Sequence, residues 1–217
     1  MVAPHGAGAA ETDSLERLVA DLARVRTGRL VNPYECYESE LDRPNGAATR
    51  RANLLDYLEA RRSPALLLVG EAAGFRGCRF SGIAFTSERS LAPERWSSRC
   101  ERGWIEPSAS IVHGELSFLD IESRTLLWNA VPFHPAKDGL LLSNRPPTRG
   151  EREAGEEWLM RLVALTHPGL VVAIGRKAAK SLKNLDLGGL AVRHPANGGA
   201  TLFREQLRAV VHEHGLA

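Results

Sequence analysis

Short, mostly apolar runs alternate with amphipathic stretches along this chain. The apolar runs lie at 66–69, 125–131, 170–174 and 190–193. Such runs are typical of parallel strands that are buried on both faces. Apolar residues recur at helical spacing between and around them, as in 15–25, 47–61, 107–119 and 202–211. This alternation predicts an α/β protein, a three-layer α/β/α sandwich with a central, mainly parallel four-stranded sheet.

The length of the chain bounds its domain organisation. Its 217 residues suffice for one well-buried domain, and we expect residues 13–217 to form it. Residues 1–12 are mostly small, and we expect them to be disordered. No run approaches the ~20 apolar residues of a membrane span, and the start lacks a basic region followed by an apolar core. The sequence therefore predicts a cytoplasmic protein without membrane contact, which we expect to be a monomer.

The cysteines indicate no disulfide framework and no metal cluster. Cys36, Cys78 and Cys100 are isolated from one another in the sequence, and their odd number fits a reducing compartment. Three thiolates are too few for an iron–sulfur cluster with four cysteine ligands. No histidine pair has metal-ligand spacing with supporting cysteines. We expect free thiols, no metal and no cofactor.

Glycines and polar residues follow directly after three of the apolar runs. The first run leads into a glycine-rich loop that begins at Gly70 and carries Glu71 and Phe85, the second contains Asn129 near its end, and the fourth leads to His194. Ligands of open α/β sheets bind at the carboxyl ends of the strands, and glycines let the backbone come close to a ligand. The sequence therefore predicts a binding site at this edge of the sheet.

Three motifs, in this order, resemble those of the uracil-DNA glycosylase superfamily. They read GEAAGFRGCRFSGIAF at 70–85, LLWNAV at 126–131 and RHPANGG at 193–199. The spacing of the first is similar to that of the single-strand-selective monofunctional uracil glycosylases, and its Gly-Glu-Ala start is similar to that of the thermophilic iron–sulfur members. The resemblance spans roughly residues 50–215. It implies a monofunctional glycosylase that flips uracil out of DNA, hydrolyses its N-glycosidic bond and releases free uracil, leaving an abasic site.

The resemblance also implies a pocket for the base. Gly70 and Ala72 line it, Phe85 stacks on the extruded base, and Asn129 reads its edge. An amide can donate to uracil O4 and accept from N3–H, whereas cytosine presents the opposite pattern at both atoms. Taken without the motifs, Phe85 fits a core aromatic residue and Asn129 fits a residue that braces the neighbouring loop.

Two residues are candidates for catalysis. The resemblance gives His194 the role of donating a hydrogen bond to uracil O2, where negative charge develops as the base departs. Many family members carry Asp or Asn where this chain has Ala72. We therefore expect Glu71 to position the attacking water. The alternative for Glu71 is a carboxylate that braces its loop by accepting backbone hydrogen bonds.

Several residues beside the predicted pocket are candidates for contact with DNA. The net charge of +2 is weak for a nucleic-acid-binding protein, and basic residues such as Arg79, Arg145 and Arg193 suit either a DNA-binding face or ordinary solvated surface. Arg176 and Lys177 open a predicted helix, where a phosphate can bind. His134 is expected either to shape the pocket wall or to meet the DNA backbone. The predicted DNA contacts are Arg76, His134, Arg176, Lys177, Asn197 and Gly198.

Two other functions stay open at the level of sequence. The first is a binding protein that holds flipped bases or abasic DNA without hydrolysing them, and Ala72 favours it because the usual water-positioning residue is missing. The second is an enzyme that acts on free nucleosides or nucleotides, since strand ends followed by glycine-rich loops also hold such ligands.

Overall fold

The computed structural model describes residues 13–216, so the expected disorder of residues 1–12 lies outside the described part of the chain. Helices and strands alternate through that part as the apolar runs predict. The helices are α1 (Leu15–Arg24), α2 (Gly46–Glu59), α3 (Cys78–Ser81), α4 (Pro107–Phe118), α5 (Arg149–Thr166), α6 (Arg176–Asn184) and α7 (Ala200–Glu213). The strands are β1 (Leu66–Ala72), β2 (Thr125–Val131), β3 (Leu170–Ile174) and β4 (Ala191–Val192).

The four strands form one parallel sheet in the order β2-β1-β3-β4. Leu66 of β1 pairs with Thr125 of β2 on one side and with Leu170 of β3 on the other. β1 is therefore an inner strand, and both of its neighbours end at the same edge of the sheet. Because the chain leaves β1 towards one neighbour and later returns on the other side, this edge has the crevice in which α/β proteins bind ligands.

Alternate residues of each strand face opposite layers of helices. Leu67 and Val69 belong to the apolar cluster that includes residues of α1, α2, α5 and α6. Leu66 and Leu68 belong to the second cluster, which includes residues of α4 and α7. These two clusters on either face of the sheet confirm the predicted three-layer sandwich.

Side chains of α2 bind the outer edge of β2. The Tyr57 hydroxyl accepts a hydrogen bond of 2.8 Å from the Leu127 backbone N–H, and Arg61 Nε donates one of 3.0 Å to the Thr125 carbonyl. The Arg61 guanidinium also stacks on the Tyr57 ring, 4.2 Å from its centroid. Backbone groups that an edge strand would otherwise expose thus find partners within the chain.

A buried ionic cluster joins the segment before α2 to the first strand-end loop. Asp42 is fully buried, and its carboxylate accepts hydrogen bonds from Arg50 of α2 and Arg79 of α3 at 2.8–3.1 Å. Burial alone would raise the pKa of Asp42, but the hydrogen bonds and charge of Arg79 and Arg50 hold it below its ordinary value. Arg79 is therefore part of the interior and is not available to a DNA-binding face.

In the described part of the chain, no helix is both long enough and apolar enough to cross a membrane.

The contact between α5 and the sheet leaves no room for a side chain at Gly155. A Cβ there would lie 2.3 Å from the Ala130 carbonyl oxygen of β2. We expect Gly155→Ala to lower the free energy of unfolding by about 1–3 kcal/mol, because a well-packed backbone must move to admit the methyl group. Denaturant unfolding measures the change.

Gly150 is the matched control, since it lies in the same helix and a Cβ there would meet nothing within 4 Å. Gly150→Ala should leave stability unchanged or raise it by up to about 1 kcal/mol, because alanine favours the helix. Equal effects of the two substitutions would contradict the close approach of α5 to β2.

Candidate active site

A cavity of about 270 Å³ lies at the carboxyl ends of the strands. Glu71 and Ala72 reach it from the end of β1, Asn129 from β2 and His194 from the loop after β4, and Phe85 closes it from the glycine-rich loop. The structure thus brings together five predicted site residues that are far apart in the sequence.

Gly70 creates the space in which the aromatic ring and the amide meet. It is paired with Asn129 across β1 and β2. A Cβ at Gly70 would lie 2.5 Å from Cε2 of Phe85 and 2.8 Å from Oδ1 of Asn129. Any side chain at this position would therefore displace both groups.

The Phe85 backbone adopts a conformation that L-residues rarely use, with φ of 48°. His113 of α4 supports it, because His113 Nε2 lies 3.0 Å from the Phe85 carbonyl oxygen. The other ring nitrogen of His113 lies 2.7 Å from Oε1 of Glu122. A left-handed conformation costs free energy, and these contacts help to hold it.

The Asn129 side chain is buried beside Cys78. Burial raises the pKa of the Cys78 thiol to about 12, while hydrogen bonds from Tyr34 and Asn129 act in the opposite direction. The thiol is therefore neutral near pH 7, and this wall of the cavity is polar but uncharged.

A backbone hydrogen bond fixes the tautomer of His194. The Ala196 N–H donates to His194 Nδ1 at 3.1 Å, so Nδ1 carries no proton and Nε2 carries one. Burial lowers the pKa of His194, the charge of Arg193 lowers it further, and Glu71 opposes the change. His194 lines the cavity as a neutral imidazole with an Nε2–H donor.

Glu71 lies between the cavity and a neighbouring groove, since it lines both. Its Oε1 is 3.0 Å from Nζ of Lys177, and the two side chains are 29% and 52% exposed. The atom Oε1 accepts no hydrogen bond, so the pair interacts by charge at a geometry unsuited to a hydrogen bond. Backbone amides do not brace this oxygen, which counts against the loop-bracing alternative.

The neighbouring groove has a volume of about 850 Å³ and is lined by three of the six predicted DNA contacts. Arg176, Lys177, Arg193 and Asn197 line it together with His194. Asn197 and Gly198 are exposed and have φ of 53° and 74°, so the chain turns sharply there. The groove offers an anionic ligand three basic side chains that lie next to the cavity.

Arg76 and Arg145 are placed differently from the groove residues. Arg76 is exposed and stacks over the Phe75 ring, 5.2 Å from its centroid. Arg145 lines the cavity but binds both carboxylate oxygens of Glu151 at 2.6 and 2.7 Å. Arg76 thus remains available to a ligand, whereas the charge of Arg145 is compensated.

His134 is the predicted site residue that the structure corrects. It is completely buried, and its Nε2 lies 2.7 Å from the Ser143 carbonyl oxygen. Burial lowers its pKa to about 4, so the ring is neutral near pH 7. His134 cannot contact DNA from this position, because its backbone is bridged to Val31 and its ring braces the loop that precedes α5.

Glu106 is a cavity residue that the sequence motifs do not contain. It directly precedes α4 and lines the cavity together with Phe85 and Asn129. Burial raises the pKa of Glu106 to about 7. An acidic residue directly before a helix that begins with proline is usually a helix cap. The sequence around Glu106 therefore does not distinguish this residue from those at other helix starts.

Within residues 13–216, His, Cys, Asp and Glu form no cluster of three or more that is suited to a metal ion. Cys36, Cys78 and Cys100 are free thiols there.

Comparisons with known proteins place this geometry in context. The family model described as the uracil DNA glycosylase superfamily matches residues 56–214, which is more than half of the chain. A crystal structure of wild-type Pedobacter heparinus SMUG2 is similar with a TM-score of 0.67 and 13% sequence identity, over 94% of this chain and 99% of that chain. This likeness shows a shared fold. No curated protein matches the sequence.

The fixed tautomer of His194 leads to a spectroscopic prediction. In protein labelled with ¹⁵N at histidine, the His194 ring should give the signals of a neutral imidazole protonated at Nε2, because the Ala196 N–H occupies Nδ1. Its pKa should lie below the ordinary value for histidine, because burial disfavours the imidazolium. A proton on Nδ1, or a positively charged ring at pH 7, would contradict the geometry.

Proposed function

Since the chain belongs to the uracil DNA glycosylase superfamily, a family of hydrolases that act on DNA, we propose that it is a monofunctional uracil-DNA glycosylase. It extrudes uracil from DNA and hydrolyses the bond between N1 of the base and C1′ of the deoxyribose. The products are free uracil and an abasic site.

The observation that carries this proposal is the meeting of an aromatic ring, an amide and a neutral imidazole in one cavity. Phe85, Asn129 and His194 come from three separate strand ends and line the same space. An extruded base loses its stacking partners, and an aromatic ring restores part of that free energy. The amide and the imidazole supply directed hydrogen bonds in the same cavity.

Asn129 selects uracil by its hydrogen-bonding pattern. Its Nδ2–H donates to O4 and its Oδ1 accepts from N3–H, whereas cytosine offers a donor and an acceptor in the reverse order. Mispairing inside a buried pocket leaves polar groups unsatisfied, which costs about 1–3 kcal/mol for each. The burial of Asn129 therefore supports discrimination between the two bases.

His194 stabilises the departing base. Breaking the bond to N1 places negative charge on the base, including O2, and a neutral Nε2–H donor can bind this oxygen without transferring its proton. A fixed donor that points to developing charge acts most strongly in a dry site. The backbone hydrogen bond to Nδ1 keeps the ring in the tautomer that this role requires.

Glu71 holds the attacking water and stabilises the positive sugar. It lies on the side of the cavity that opens into the groove, where the sugar of an extruded nucleotide would pass. Water adds to C1′ as the base leaves, and its proton passes to the carboxylate or to solvent.

The groove beside the cavity binds the DNA backbone. Its basic side chains Lys177, Arg176 and Arg193 attract the phosphates. Asn197 and Gly198 form a turn that faces the DNA. Arg76 is exposed outside the groove and is available to bind a further phosphate.

The test of the proposal is a gel assay on an oligonucleotide that contains one uracil. Incubation followed by alkali should cut the strand at the uracil, and the uncut strand should persist without alkali, because the enzyme leaves an abasic site. Binding without cleavage would support the base-binding alternative, which the absence of an acid or amide at Ala72 favours. Release of bases from free nucleosides but not from DNA would support the small-molecule alternative.

We expect His194→Ala to lower the single-turnover rate on uracil DNA by about a hundredfold or more, which is the usual effect of removing one such donor. Binding to an uncleavable uracil analogue in DNA should change much less. His212→Ala is the control, because His212 is exposed on α7. If binding collapses in His194→Ala while the rate at saturation is unchanged, His194 contacts DNA and does not stabilise the leaving base.

We expect Glu71→Gln to lower the single-turnover rate by about tenfold or more, because the amide keeps the shape but cannot stabilise a cation or accept a proton. Lys177→Gln separates this role from the ion pair, since both substitutions break the contact of 3.0 Å. The lysine variant should chiefly weaken DNA binding. Equal losses of rate in the two variants, with equal losses of thermal stability, would reduce Glu71 to a structural ion-pair partner.

A further inference from the structure

A backbone hydrogen bond holds Glu106 in the cavity wall, and a glycine at position 77 leaves the space that its carboxyl group occupies. The Ser87 hydroxyl accepts a hydrogen bond of 3.0 Å from the Glu106 N–H. The carboxyl group lies over Gly77, where a Cβ would be only 1.7 Å from Oε2. Any residue other than glycine at position 77 would push this carboxyl group out of its place.

The carboxyl group has no partner of its own. It makes no side-chain cap to α4, although Glu106 occupies the N-cap position. Among residues 13–216 no hydrogen bond and no ion pair to Oε1 or Oε2 is found, and the cause of its raised pKa is burial without a compensating cation. Buried carboxyl groups normally have partners. One without a partner that lines a cavity is suited to bind what enters the cavity.

Glu106 lies on the same wall as the residue that reads the base. The Asn129 side chain acts to lower the pKa of the Cys78 thiol and the charge of a Glu106 carboxylate acts to raise it, so both groups lie near Cys78. Asn129, Cys78 and Glu106 thus line the same cavity. Next to it the cavity is open, since a Cβ at Gly74 would meet nothing within 4 Å.

We propose that Glu106 is a second specificity residue, whose protonated carboxyl group donates a hydrogen bond to the exocyclic oxygen that Asn129 also binds. This inference rests on the proposed function and deepens it. A carbonyl oxygen has two lone pairs, so the Asn129 amide and the Glu106 hydroxyl occupy one each. Two donors to one oxygen exclude an amino group more strongly than one donor does, because an amine would face two N–H or O–H groups.

The protonation state decides what Glu106 recognises. Below a pH of about 7 the carboxyl group is neutral and donates to an oxo group. Above that pH it becomes a carboxylate, which only accepts, repels a carbonyl oxygen and opposes negative charge on a departing base. We therefore expect the activity on uracil to fall as the pH rises through about 7, and the preference for uracil over cytosine to fall with it.

Four other charged or titratable groups line the cavity, and three of them do not account for such a loss. The four groups are Cys78 of α3, Glu71 after β1, Arg145 before α5 and His194 after β4. Burial raises the pKa of Cys78 to about 12, Glu151 raises the pKa of Arg145, and burial lowers the pKa of His194. None of these three shifts places a change of charge just above pH 7.

The experiment compares the full-length parent with E106Q, E106A and the control E101Q, whose residue is exposed in the same connection. Single-turnover rates on uracil DNA are measured from pH 5.5 to pH 9. The parent and E101Q should lose at least about tenfold between pH 6 and pH 9. E106Q should keep most of the rate at pH 6 and hold it to pH 9, because its amide donates at every pH. E106A should be slower throughout and should lack the alkaline loss.

An alkaline loss that persists unchanged in E106Q would overturn the inference and leave the proposed function intact. Affinity for DNA with an uncleavable uracil analogue separates the two claims. If the parent cleaves no uracil DNA at any pH but binds this analogue with a pH dependence that E106Q abolishes, hydrolysis is wrong and the role of Glu106 stands. Analogue binding that is independent of pH in a folded parent, as judged by thermal unfolding, would also overturn the role of Glu106.

Discussion

The close approach of the Phe85 ring to Gly70 is the constraint on which the site depends. Only a residue without Cβ lets the ring lie over the end of β1, and the same lack of Cβ admits the amide of Asn129 from β2. The ring in turn requires a backbone with positive φ, which His113 supports from α4. Strand register, loop conformation and helix position therefore meet at one contact, which belongs to the second apolar cluster and also sets the shape of the cavity.

Several polar groups of the cavity wall are neutral or have a compensated charge. His194 is held neutral by burial, Cys78 has a pKa of about 12, and Arg145 is compensated by Glu151. Groups of this kind suit an uncharged base, since a flat ligand with carbonyl and N–H edges needs directed donors and acceptors. Arg176, Lys177 and Arg193 line the neighbouring groove, where a phosphate backbone would run.

Sequence patterns predicted the strands and five of the residues that line the cavity, because parallel strands buried on both faces leave clear apolar runs and their ends converge on one edge. The positions of the His134 and Glu106 side chains could not be predicted in this way. Both follow from the three-dimensional path of loops: His134 turns inward towards Ser143, and Glu106 enters the cavity from a helix start that no strand end predicts. Local sequence patterns likewise do not predict the ion pair between Arg79 and Asp42, which are 37 residues apart.

The side chains along the outer edge of β2 have a consequence for how this chain meets other copies of itself. An open edge strand can extend its sheet into a neighbouring molecule, which is a common route to aggregation. Here Tyr57 and Arg61 already occupy the Leu127 N–H and the Thr125 carbonyl, and the opposite edge strand has only two residues. The backbone groups of β2 at these positions are therefore not available to hydrogen bond a strand of a second chain. The helix α2 protects this edge of the sheet as a covering strand does in other folds.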